Sequence, residues 1–469
     1  MRDRRTVMGP GRDHAVVIGA GIAGLLAARV LAGHFATVTL IERDRLPDSP
    51  RSRPGTPQDR HPHGLLTRGA EALESLFPGL RDELAANGAP VIDFCQDVRF
   101  RFPAGSPRSM PSGILAQPVS RPLLEDVLRR RVRALGPVVV RCGYRVTGLL
   151  TDATGRQVTG IRAAVRESRP SECVTVAADL VVDASGRSSK LPDWLARLGF
   201  PVPRRSTVDP GIGYATRSYV PAPGTAPGDR NVVQMLAAPH GRRGCFATTV
   251  EHGRLLVALQ AVHERPPRTD AEFAAFLGSL DGGLAEAVAT RSPQPSIFRY
   301  SHAVNRRLHY HRLRRWPDGL LALGDAVCAF NPVYGQGMAV AAAEAQLLDD
   351  LLDRRAGQAG LEKRFQRRLG SLTLGPWLLA TAADRGWQPG PKPLAARAAL
   401  WYLRRLYFLI PRVPAVFLRF ARVMTMVAGP AALAHPAVLL RVLLDRRAVP
   451  AGSGDCRAPE PLSSPRRPS

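Results

Sequence analysis

The chain has 469 residues, enough for roughly two or three domains, and 45% of its residues are hydrophobic, as in an ordinary globular protein. Its six cysteines form no CxxC pair and no cluster with histidines at metal-ligand spacing, which argues against a disulfide framework, a zinc site and dithiol redox chemistry. The net charge of +26 is almost all arginine, spread along the chain among few aromatic residues. We therefore expect no nucleic-acid partner; the alternatives are solvated surfaces, or attraction to an acidic carrier protein or an anionic membrane.

The N-terminal residues MRDRRTVMGPGRDH lack an apolar core. A secretory signal needs such a core, so we expect no signal and a cytoplasmic location. The scattered cysteines fit that reducing compartment.

A glycine-rich turn, GAGIAG, follows a predicted strand at residues 15–18 and opens a predicted helix. Gly19 permits the tight turn, Gly21 lets a pyrophosphate approach the backbone, and Gly24 lets the helix pack close to the sheet. Glu42 ends the second predicted strand and is placed to accept hydrogen bonds from an adenosine ribose. Together these features predict a dinucleotide site in a βαβ unit, without distinguishing FAD from NAD.

The next part of the chain alternates between helical and strand patterns. Residues 47–63, rich in proline, arginine and histidine, predict a loop without regular structure. Helices are predicted at residues 67–76 and after Ser120, where apolar residues recur at helical spacing. Strands are predicted at residues 138–141, 146–150, 158–165 and 174–182, then an antiparallel sheet from the segments GYATRSYV, NVVQMLA, CFATTV and RLLVALQA, and a strand at 320–323.

The C-terminal residues 391–448 are apolar and basic, with prolines that break them into several helices. Residues 423–440 carry no Asp, Glu, Lys or Arg and reach the lower limit for a membrane span, but their prolines argue against a single spanning helix. A packed helical cap and peripheral contact with a membrane or lipid remain as alternatives. The tail at residues 449–469 is rich in proline, serine and arginine, and we expect it to be disordered.

Two later segments choose between the dinucleotides. In GLLALGDAVCAFNPVYGQGMAV a buried strand ends before Asp325, and a loop leads to Gly335 and Gly337, which open an alanine-rich helix. Asp325 can accept a hydrogen bond from a ribityl hydroxyl, and the two glycines let backbone N–H groups reach a flavin ring, whose anionic reduced form the helix terminus stabilises. The segment ADLVVDASGR predicts a strand and a turn that return the chain to the cofactor.

With these three segments in this order, the chain resembles the flavin-dependent monooxygenases related to p-hydroxybenzoate hydroxylase and squalene epoxidase. Within that group it is most similar to bacterial polyene epoxidases of polyether-antibiotic pathways, of the lasalocid and monensin type. The resemblance spans roughly residues 14–345 and rests on the segments RPGTPQDRHPHGLLTRG, SRPLLE, ADLVVDASGR, GYATRSY and VNRRLHYHRLRRWPDGLLALGDAVCAFNPVYGQGM.

The resemblance implies a set of FAD-binding residues. It places the ADP half at the first glycine turn and Glu42, the central region at Arg121, the ribityl-pyrophosphate part at Asp325, and a mobile loop near the flavin at Arg53 and Gln58. The full set is Gly19, Gly21, Gly24, Glu42, Arg53, Gln58, Arg121, Asp325, Gly335, Gln336, Gly337 and Met338. For Arg121 the alternative is a surface charge at a helix start, and for Arg53 a solvated loop charge.

The substrate wall is expected in the β-rich segment, with four pocket candidates: Tyr214, Arg217, Asn331 and Pro332. Alternation along the strand puts Tyr214 and Arg217 on opposite faces, and the sequence does not say which face is inward. Ordinary core packing is the alternative for Tyr214. His61 and His63 lie beside prolines in a loop, which is no metal-ligand pattern, so we predict no metal.

One position departs from the family pattern. Ser185 stands where the broader hydroxylase family has an acidic residue that helps to position the reductant. The resemblance therefore implies FAD with NAD(P)H as reductant, acting directly or through a separate flavin reductase. A second GxGxxG is absent, which argues against a pyridine-nucleotide oxidoreductase with two such folds.

The predicted fold class is α/β: a Rossmann-like FAD-binding domain interleaved with a mostly antiparallel β-sheet substrate domain, plus a C-terminal helical region. We assign residues 14–90, 117–200 and 305–375 to the FAD-binding domain, 91–116 and 201–304 to the substrate domain, and 376–448 to the helical region.

The resemblance implies a monooxygenase that transfers one oxygen atom from O₂ through a flavin 4a-hydroperoxide. Its predicted reaction is epoxidation of an alkene in a hydrophobic polyketide or isoprenoid intermediate, free or bound to a carrier protein, for antibiotic or other secondary metabolism. The alternatives are hydroxylation of an aromatic ring, reduction of isoprenoid double bonds as in geranylgeranyl reductases, and a flavin-binding accessory protein. Flavin halogenases share the fold, but their WxWxIP motif is missing.

Overall fold

The structure is a computed structural model that describes residues 13–166, 172–222, 231–281, 283–301, 303–355 and 359–445. The tail predicted to be disordered lies outside the described residues. The described helices are α1 (Ile22–Leu31), α2 (Thr67–Leu76), α3 (Leu80–Ala86), α4 (Arg121–Arg133), α5 (Leu191–Arg197), α6 (Asp270–Gly278), α7 (Leu284–Ala289), α8 (Gly337–Arg355), α9 (Leu361–Leu372), α10 (Leu374–Asp384), α11 (Leu394–Leu409), α12 (Pro414–Met424) and α13 (Pro436–Leu444).

The described strands run through most of the chain before α8. They are β1 (His14–Ile18), β2 (Thr37–Glu42), β3 (Gly64–Leu65), β4 (Ile92–Asp93), β5 (Val98–Arg101), β6 (Leu115–Pro118), β7 (Val138–Cys142), β8 (Tyr144–Thr151), β9 (Val158–Val165), β10 (Cys173–Ala177), β11 (Leu180–Asp183), β12 (Arg205–Val208), β13 (Ile212–Pro221), β14 (Asn231–Gln234), β15 (Arg243–Thr249), β16 (Leu255–Val262), β17 (Arg291–Tyr300), β18 (Asn305–Leu308), β19 (Leu320–Ala322) and β20 (Cys328–Ala329).

A five-stranded parallel sheet forms the centre of the first half, in the order β19-β11-β1-β2-β7. Its middle strands are apolar and buried, as expected of a parallel sheet with both faces covered, and α1, α2, α4 and α8 contribute to the same core. All five strands run in the same direction, so the segments after β1, β2, β11 and β19 meet at one edge. That edge is where open α/β sheets bind ligands.

The strand predicted at residues 174–182 is wrong as a single element. The structure divides it into β10, which pairs with β9 in a three-stranded antiparallel sheet, and β11, which belongs to the parallel sheet. The break falls at Asp179, whose carboxylate accepts hydrogen bonds from the backbone N–H groups of Asp13 and His14, both at 2.9 Å. An apolar run does not reveal such a break, because both halves have strand composition.

A six-stranded sheet forms the second layer, in the order β17-β13-β16-β15-β14-β5. All neighbours are antiparallel except β14 and β5, so the predicted antiparallel segments do form one sheet. Strand β5 comes from an earlier part of the chain, which therefore alternates between the two main sheets. One face of the sheet packs on α6 and α7. Tyr219 of the sheet and Phe273 of α6 are buried in the core between the sheet and these helices.

The C-terminal helices α11, α12 and α13 pack against the strands β5 and β6 in a separate core. Phe417 and Phe420 of α12 lie edge-on against Phe100 and Phe102, at centroid distances of 5.6 and 5.5 Å. In the described chain every helix is too short or too polar to cross a bilayer. The confirmed fold class is thus α/β with an antiparallel sheet and a helical C-terminal region; the domain boundaries stay a prediction.

Candidate active site

A cavity of about 1570 Å³ lies where the edge of the parallel sheet meets the six-stranded sheet and the C-terminal helices. Ordinary small-molecule pockets are about 300–1,000 Å³, so this cavity has room for more than one ligand. Most of the predicted site residues line it: Gly19, Gly21, Glu42, Arg53, Gln58, Arg121, Tyr214, Asp325, Asn331, Pro332, Gly335, Gln336, Gly337 and Met338. Gly24 and Arg217 do not.

The glycine turn has the geometry that its sequence predicts. Gly19 has φ +101°, and a Cβ there would lie 2.7 Å from the backbone oxygen of Ala184. A Cβ at Gly24 would lie 1.8 Å from the backbone oxygen of Gly19, so Gly24 permits the close packing of α1 on the turn without reaching the cavity. At Gly21 the nearest atom to a Cβ is the Arg53 guanidinium, at 4.0 Å. The backbone there is open to an incoming phosphate.

Glu42 is buried at the end of β2 and directs its carboxylate back to the turn. It accepts hydrogen bonds from the backbone N–H groups of Ala20, at 2.7 Å, and of Asp44, at 3.0 Å. This anchors the acid beside the helix start, where a dinucleotide ribose would reach it.

Arg53 is not a solvated loop charge, so that interpretation is wrong. Its side chain is 5% exposed, and its guanidinium lies 3.1 Å from Asp44, 3.4 Å from Glu42 and 3.3 Å from Glu125. Burial alone would lower the pKa of Arg53, but the carboxylates of Glu125, Glu42 and Asp44 raise it above the usual value. The loop carries several arginines, and the sequence alone does not show which one folds inward.

Arg121 begins α4 and turns toward the same cluster. Its Nε donates to Glu125 at 2.7 Å, and its side chain is 12% exposed. Glu125 therefore joins Arg121 to Arg53, and the interpretation of Arg121 as a plain surface charge is also wrong. Both arginines line the cavity.

Asp325 follows β19 and Leu323 in a short turn, and its carboxylate is partly open to the cavity. Arg187 lies 3.6 Å from it and donates hydrogen bonds to the backbone oxygens of Val304, at 2.7 Å, and Phe330. Arg306 holds the same turn by donating to the backbone oxygen of Asp325 at 2.9 Å. The Asp325 carboxylate thus keeps capacity to accept a hydroxyl of a ligand.

The segment from Gly335 to Met338 forms the start of α8. Gly335 has φ +62°, and a Cβ at Gly337 would meet no atom within 4 Å. Gln336 is 1% exposed, and its Oε1 has no hydrogen-bond partner among the described residues. Open backbone at a helix start, beside a buried polar atom, suits the edge of a planar polar ring.

A buried polar network supports the part of the cavity wall formed by the loop before Gly335. The Tyr214 hydroxyl donates to Asn331 Oδ1 at 2.5 Å. Asp384 accepts from Asn331 at 3.0 Å, from Asn305 at 2.5 Å and from the Tyr334 hydroxyl at 2.6 Å. Burial raises the pKa of Asp384, although these three hydrogen bonds favour its charged form. Tyr214 is therefore a buried residue that also lines the cavity, with its hydroxyl held by the Asn331–Pro332 loop.

Arg217 is not a pocket residue, and this prediction is wrong. It lies on the face of β13 that packs on α6, where it donates to Asp270 at 3.1 Å and to the backbone oxygen of Gln294 at 2.7 Å. Strand alternation places Tyr214 and Thr216 on the cavity side instead. The structure thus answers the question of which face looks inward.

His61 and Glu344 line the cavity without having been predicted. The Nδ1 atom of His61 lies 2.6 Å from Thr216 Oγ1, its Nε2 has no partner among the described residues, and burial lowers its pKa to about 4. Glu344 accepts a hydrogen bond from Gly324 N–H at 2.5 Å, and burial raises its pKa to about 8. A lone acid in the alanine-rich stretch AVAAAEA was the one sequence signal available for Glu344.

The half of the cavity away from the glycine turn is apolar and aromatic. Its lining comes from the six-stranded sheet, the segment before it and the C-terminal helices: Phe94, Phe100, Phe102, Met235, Leu400, Leu403, Tyr407, Phe408, Phe420 and Met424. The charged side chains of Arg101, Asp281 and Arg404 line the cavity from the same parts of the chain.

Residues 13–363 match the protein family described as FAD binding domain. The chain belongs to this FAD-binding family. A curated relative, Protein Rv3254 of Mycobacterium tuberculosis, is 33% identical over 455 residues, which cover 87% of this chain and 93% of the relative. Kynurenine 3-monooxygenase of Salinispora arenicola is 29% identical over 371 residues, which cover 75% of this chain and 76% of the relative.

The FAD-binding fold is also found among solved structures. The flavin-dependent brominase Bmp2 superposes with a TM-score of 0.63 at 17% identity, over 88% of this chain and 93% of the brominase. At that identity the likeness concerns the fold alone. Family and relatives together make the protein an FAD-dependent monooxygenase or hydroxylase with FAD as cofactor, as predicted, and NAD(P)H is the typical reductant of this family.

The residues present fit FAD. The open backbone at Gly21 and Gly337, the anchored carboxylate of Glu42 and the unpartnered Gln336 side chain provide complementary groups from the dinucleotide end to the ring end. Ser185 carries no carboxylate to the site; its hydroxyl donates to the buried Asp183 at 2.5 Å. In this chain the residue at position 185 therefore makes a local hydrogen bond within the turn after β11, where the family pattern has an acid.

Proposed function

We propose that this FAD monooxygenase epoxidises an alkene in a hydrophobic natural-product intermediate. The observation that carries the proposal is the group of apolar and aromatic side chains that line the cavity from β5 and the C-terminal helices, which suits an extended apolar substrate. A nonpolar double bond needs no proton removed before it receives an electrophilic oxygen. The wall accordingly offers the aromatic surface on which a polyene can lie.

The other half of the cavity would hold FAD, with the ADP part at Gly19, Gly21 and Glu42 and the ring at the start of α8. Arg53 and Arg121 would lie along the cofactor, and Asp325 would accept a ribityl hydroxyl. When bound, FAD supplies the electron transfer from NAD(P)H to O₂ that makes one oxygen atom available to the substrate. The NAD(P)H would act directly or through a separate reductase. The missing acid at Ser185 favours the route through a separate reductase.

The chain's own groups would position the substrate and keep water away. Tyr214 and Asn331 hold each other through a hydrogen bond, and Asp384 anchors Asn331 from behind, so the wall facing the ring is rigid. His61 is neutral and has a free Nε2, which can bind a polar group that the substrate carries near the ring. The apolar helices α11 and α12 close the remaining side against water.

Hydroxylation of an aromatic ring is the second candidate. It is favoured by the similarity to kynurenine 3-monooxygenase, whose name describes oxygenation of an aromatic amino acid. The neutral His61 ring, beside Tyr214 and Tyr300, has the polar atom that a phenol or aniline substrate would need.

Mass spectrometry under ¹⁸O₂ separates these reactions. The purified enzyme, NAD(P)H and a flavin reductase are incubated with a linear polyene carboxylate, and in parallel with kynurenine. One ¹⁸O atom in the polyene, with loss of one double bond, supports epoxidation. If hydroxykynurenine carries the label and the polyene is unchanged, the epoxidation proposal is wrong and the enzyme hydroxylates aromatic rings. If the polyene gains two hydrogens and no ¹⁸O, the enzyme is a double-bond reductase.

A further inference from the structure

The outer surface of the C-terminal helices is unusually apolar. Exposed large apolar side chains concentrate there, with Leu394 at 79%, Leu443 at 62% and Leu444 at 67% of their full exposure. We call the group Leu394, Trp401, Leu439, Leu440, Leu443 and Leu444 the apolar cap face. Contiguous exposed apolar surface on a protein marks a contact with a partner or a membrane.

Helix α13 shows why this surface is left open. Its sequence, PAVLLRVLL, is apolar on nearly every side, but only Val438 and Val442 face the core. The remaining leucines point outward. Arg405 of α11 donates to the backbone oxygen of Asp445 just after α13, and its guanidinium lies 4.9 Å from the Trp401 ring. Trp401 is therefore a neighbour of the exposed end of α13.

The charge around this face is mostly positive, although Asp445 follows Leu444 and lies 3.6 Å from Arg412. Residues 385–444 contain nine Lys and Arg residues and no Asp or Glu, whereas the whole chain has 39 acidic residues. Arg397, Arg412, Arg422 and Arg441 are exposed in this segment. Leucines and a tryptophan bordered by arginines are the combination that enters the interface of a bilayer while the guanidinium groups bind phosphates.

We infer that the apolar cap face docks on an anionic lipid surface. A second copy of the chain fits less well, because its cap would bring an equally cationic surface into contact. An acidic protein would satisfy the arginines, but it would not by itself explain the protruding leucines. Lipid headgroups and acyl chains satisfy both.

Docking would bring the substrate half of the cavity close to lipid. Helix α11 carries Leu394 and Trp401 on the outer surface, and Leu403 and Tyr407 on the cavity wall. One helix would thus separate the bilayer from the site of an apolar substrate. This last step rests on the proposed function; the docking itself does not.

Vesicle flotation with the full-length FAD-loaded protein tests the docking. We expect the protein to float with phosphatidylglycerol vesicles, to bind phosphatidylcholine vesicles at least tenfold more weakly, and to be released by added salt. The triple variant Leu440→Gln/Leu443→Gln/Leu444→Gln should lose binding, and Arg397→Gln/Arg422→Gln/Arg441→Gln should weaken it by about fivefold for each cation that lies near the surface. Val202→Gln, at an exposed apolar site outside the cap, is the matched control.

A second measurement needs no disruptive variant. Of the five tryptophans, Trp194, Trp316, Trp377 and Trp387 are buried and Trp401 is 43% exposed. Brominated phosphatidylglycerol should therefore quench part of the fluorescence of the wild type and none of that of Trp401→Phe. The docking proposal is wrong if the wild type does not float with phosphatidylglycerol vesicles. It is also wrong if the triple variant floats as the wild type does and Trp401→Phe is quenched as the wild type is. A wild-type dimer, without vesicles, that the triple variant abolishes would also overturn the docking, since a second copy would then cover the face.

Discussion

The guanidinium of Arg53 lies 3.4 Å from the carboxylate of Glu42, and both side chains are almost fully buried. Glu42 ends β2 and Arg53 belongs to the following loop, so this ion pair fastens an irregular segment to the nucleotide end of the cavity. The same guanidinium also contacts Asp44 and Glu125, and each of these acids has a second cation, Arg166 at 3.5 Å and Arg121 at 2.7 Å.

Replacing Arg53 by alanine should therefore destabilise the enzyme. Removing one partner of a buried ion pair costs about 3–5 kcal/mol, because the other charge stays buried, and Arg121 and Arg166 keep the loss for Glu125 and Asp44 at the lower end of that range. We expect thermal unfolding at a clearly lower temperature and loss of FAD during gel filtration. Arg51→Ala, at an exposed position of the same loop, should behave as the wild type; equal behaviour of the two variants would remove Arg53 from the site.

Asp325→Ala should weaken FAD retention while leaving the fold intact. The carboxylate is partly exposed to the cavity and has one distant ion-pair partner, Arg187, so its removal leaves no buried group without a partner. The expected loss is about 1.5–3 kcal/mol of binding free energy, the value of a hydrogen bond to a charged group, or roughly 10- to 150-fold in Kd. Asp349→Ala, an acid on the outer part of α8, is the control, and a variant as yellow as the wild type would contradict the ribityl role.

Glu344 should make stability depend on pH with a known sign. Its pKa is raised from 4.5 to about 8 by burial, so the folded protein holds a proton there that the unfolded chain releases. The stabilisation is complete below about pH 4.5 and is lost as the pH rises toward 8, at up to about 1.4 kcal/mol for each pH unit.

The variant Glu344→Gln isolates this effect, since its amide oxygen can still accept from Gly324 N–H. Chemical unfolding should give similar free energies for variant and wild type near pH 5 and a more stable variant at pH 8. A constant difference between the two proteins across that range would show that Glu344 does not titrate in it.

Tyr214→Phe removes the hydroxyl that holds Asn331. Asn331 Oδ1 still accepts from Val333 N–H at 3.2 Å, so the loss should be about 1 kcal/mol of unfolding free energy. We expect normal FAD content, but more H₂O₂ released per NAD(P)H consumed, because the substrate is held less firmly. Tyr219→Phe, on the opposite face of β13, should leave this ratio unchanged; the same ratio in both variants would contradict the positioning role.

Local sequence patterns were enough to predict most of the fold. Helix α2 and strand β9 begin and end at the predicted residues, and the glycine turn has the expected conformation, because periodicity and positive φ are properties of short segments. Arg53 lines the cavity and Arg217 does not, because Arg53 pairs with Glu125 and Arg217 with Asp270. Both acids are distant in sequence, so no local pattern predicts these ion pairs. His61 and Asp384 were missed for the same reason.

Asp384 lies in α10, outside the residues 13–363 that match the FAD-binding family, yet it is the shared acceptor for Asn305, Asn331 and Tyr334. A chimera that takes only residues 13–363 from this chain would leave these three side chains without the carboxylate to which all of them donate. A substitution at Asp384 would therefore disturb this part of the cavity wall without replacing any of the predicted FAD-binding residues.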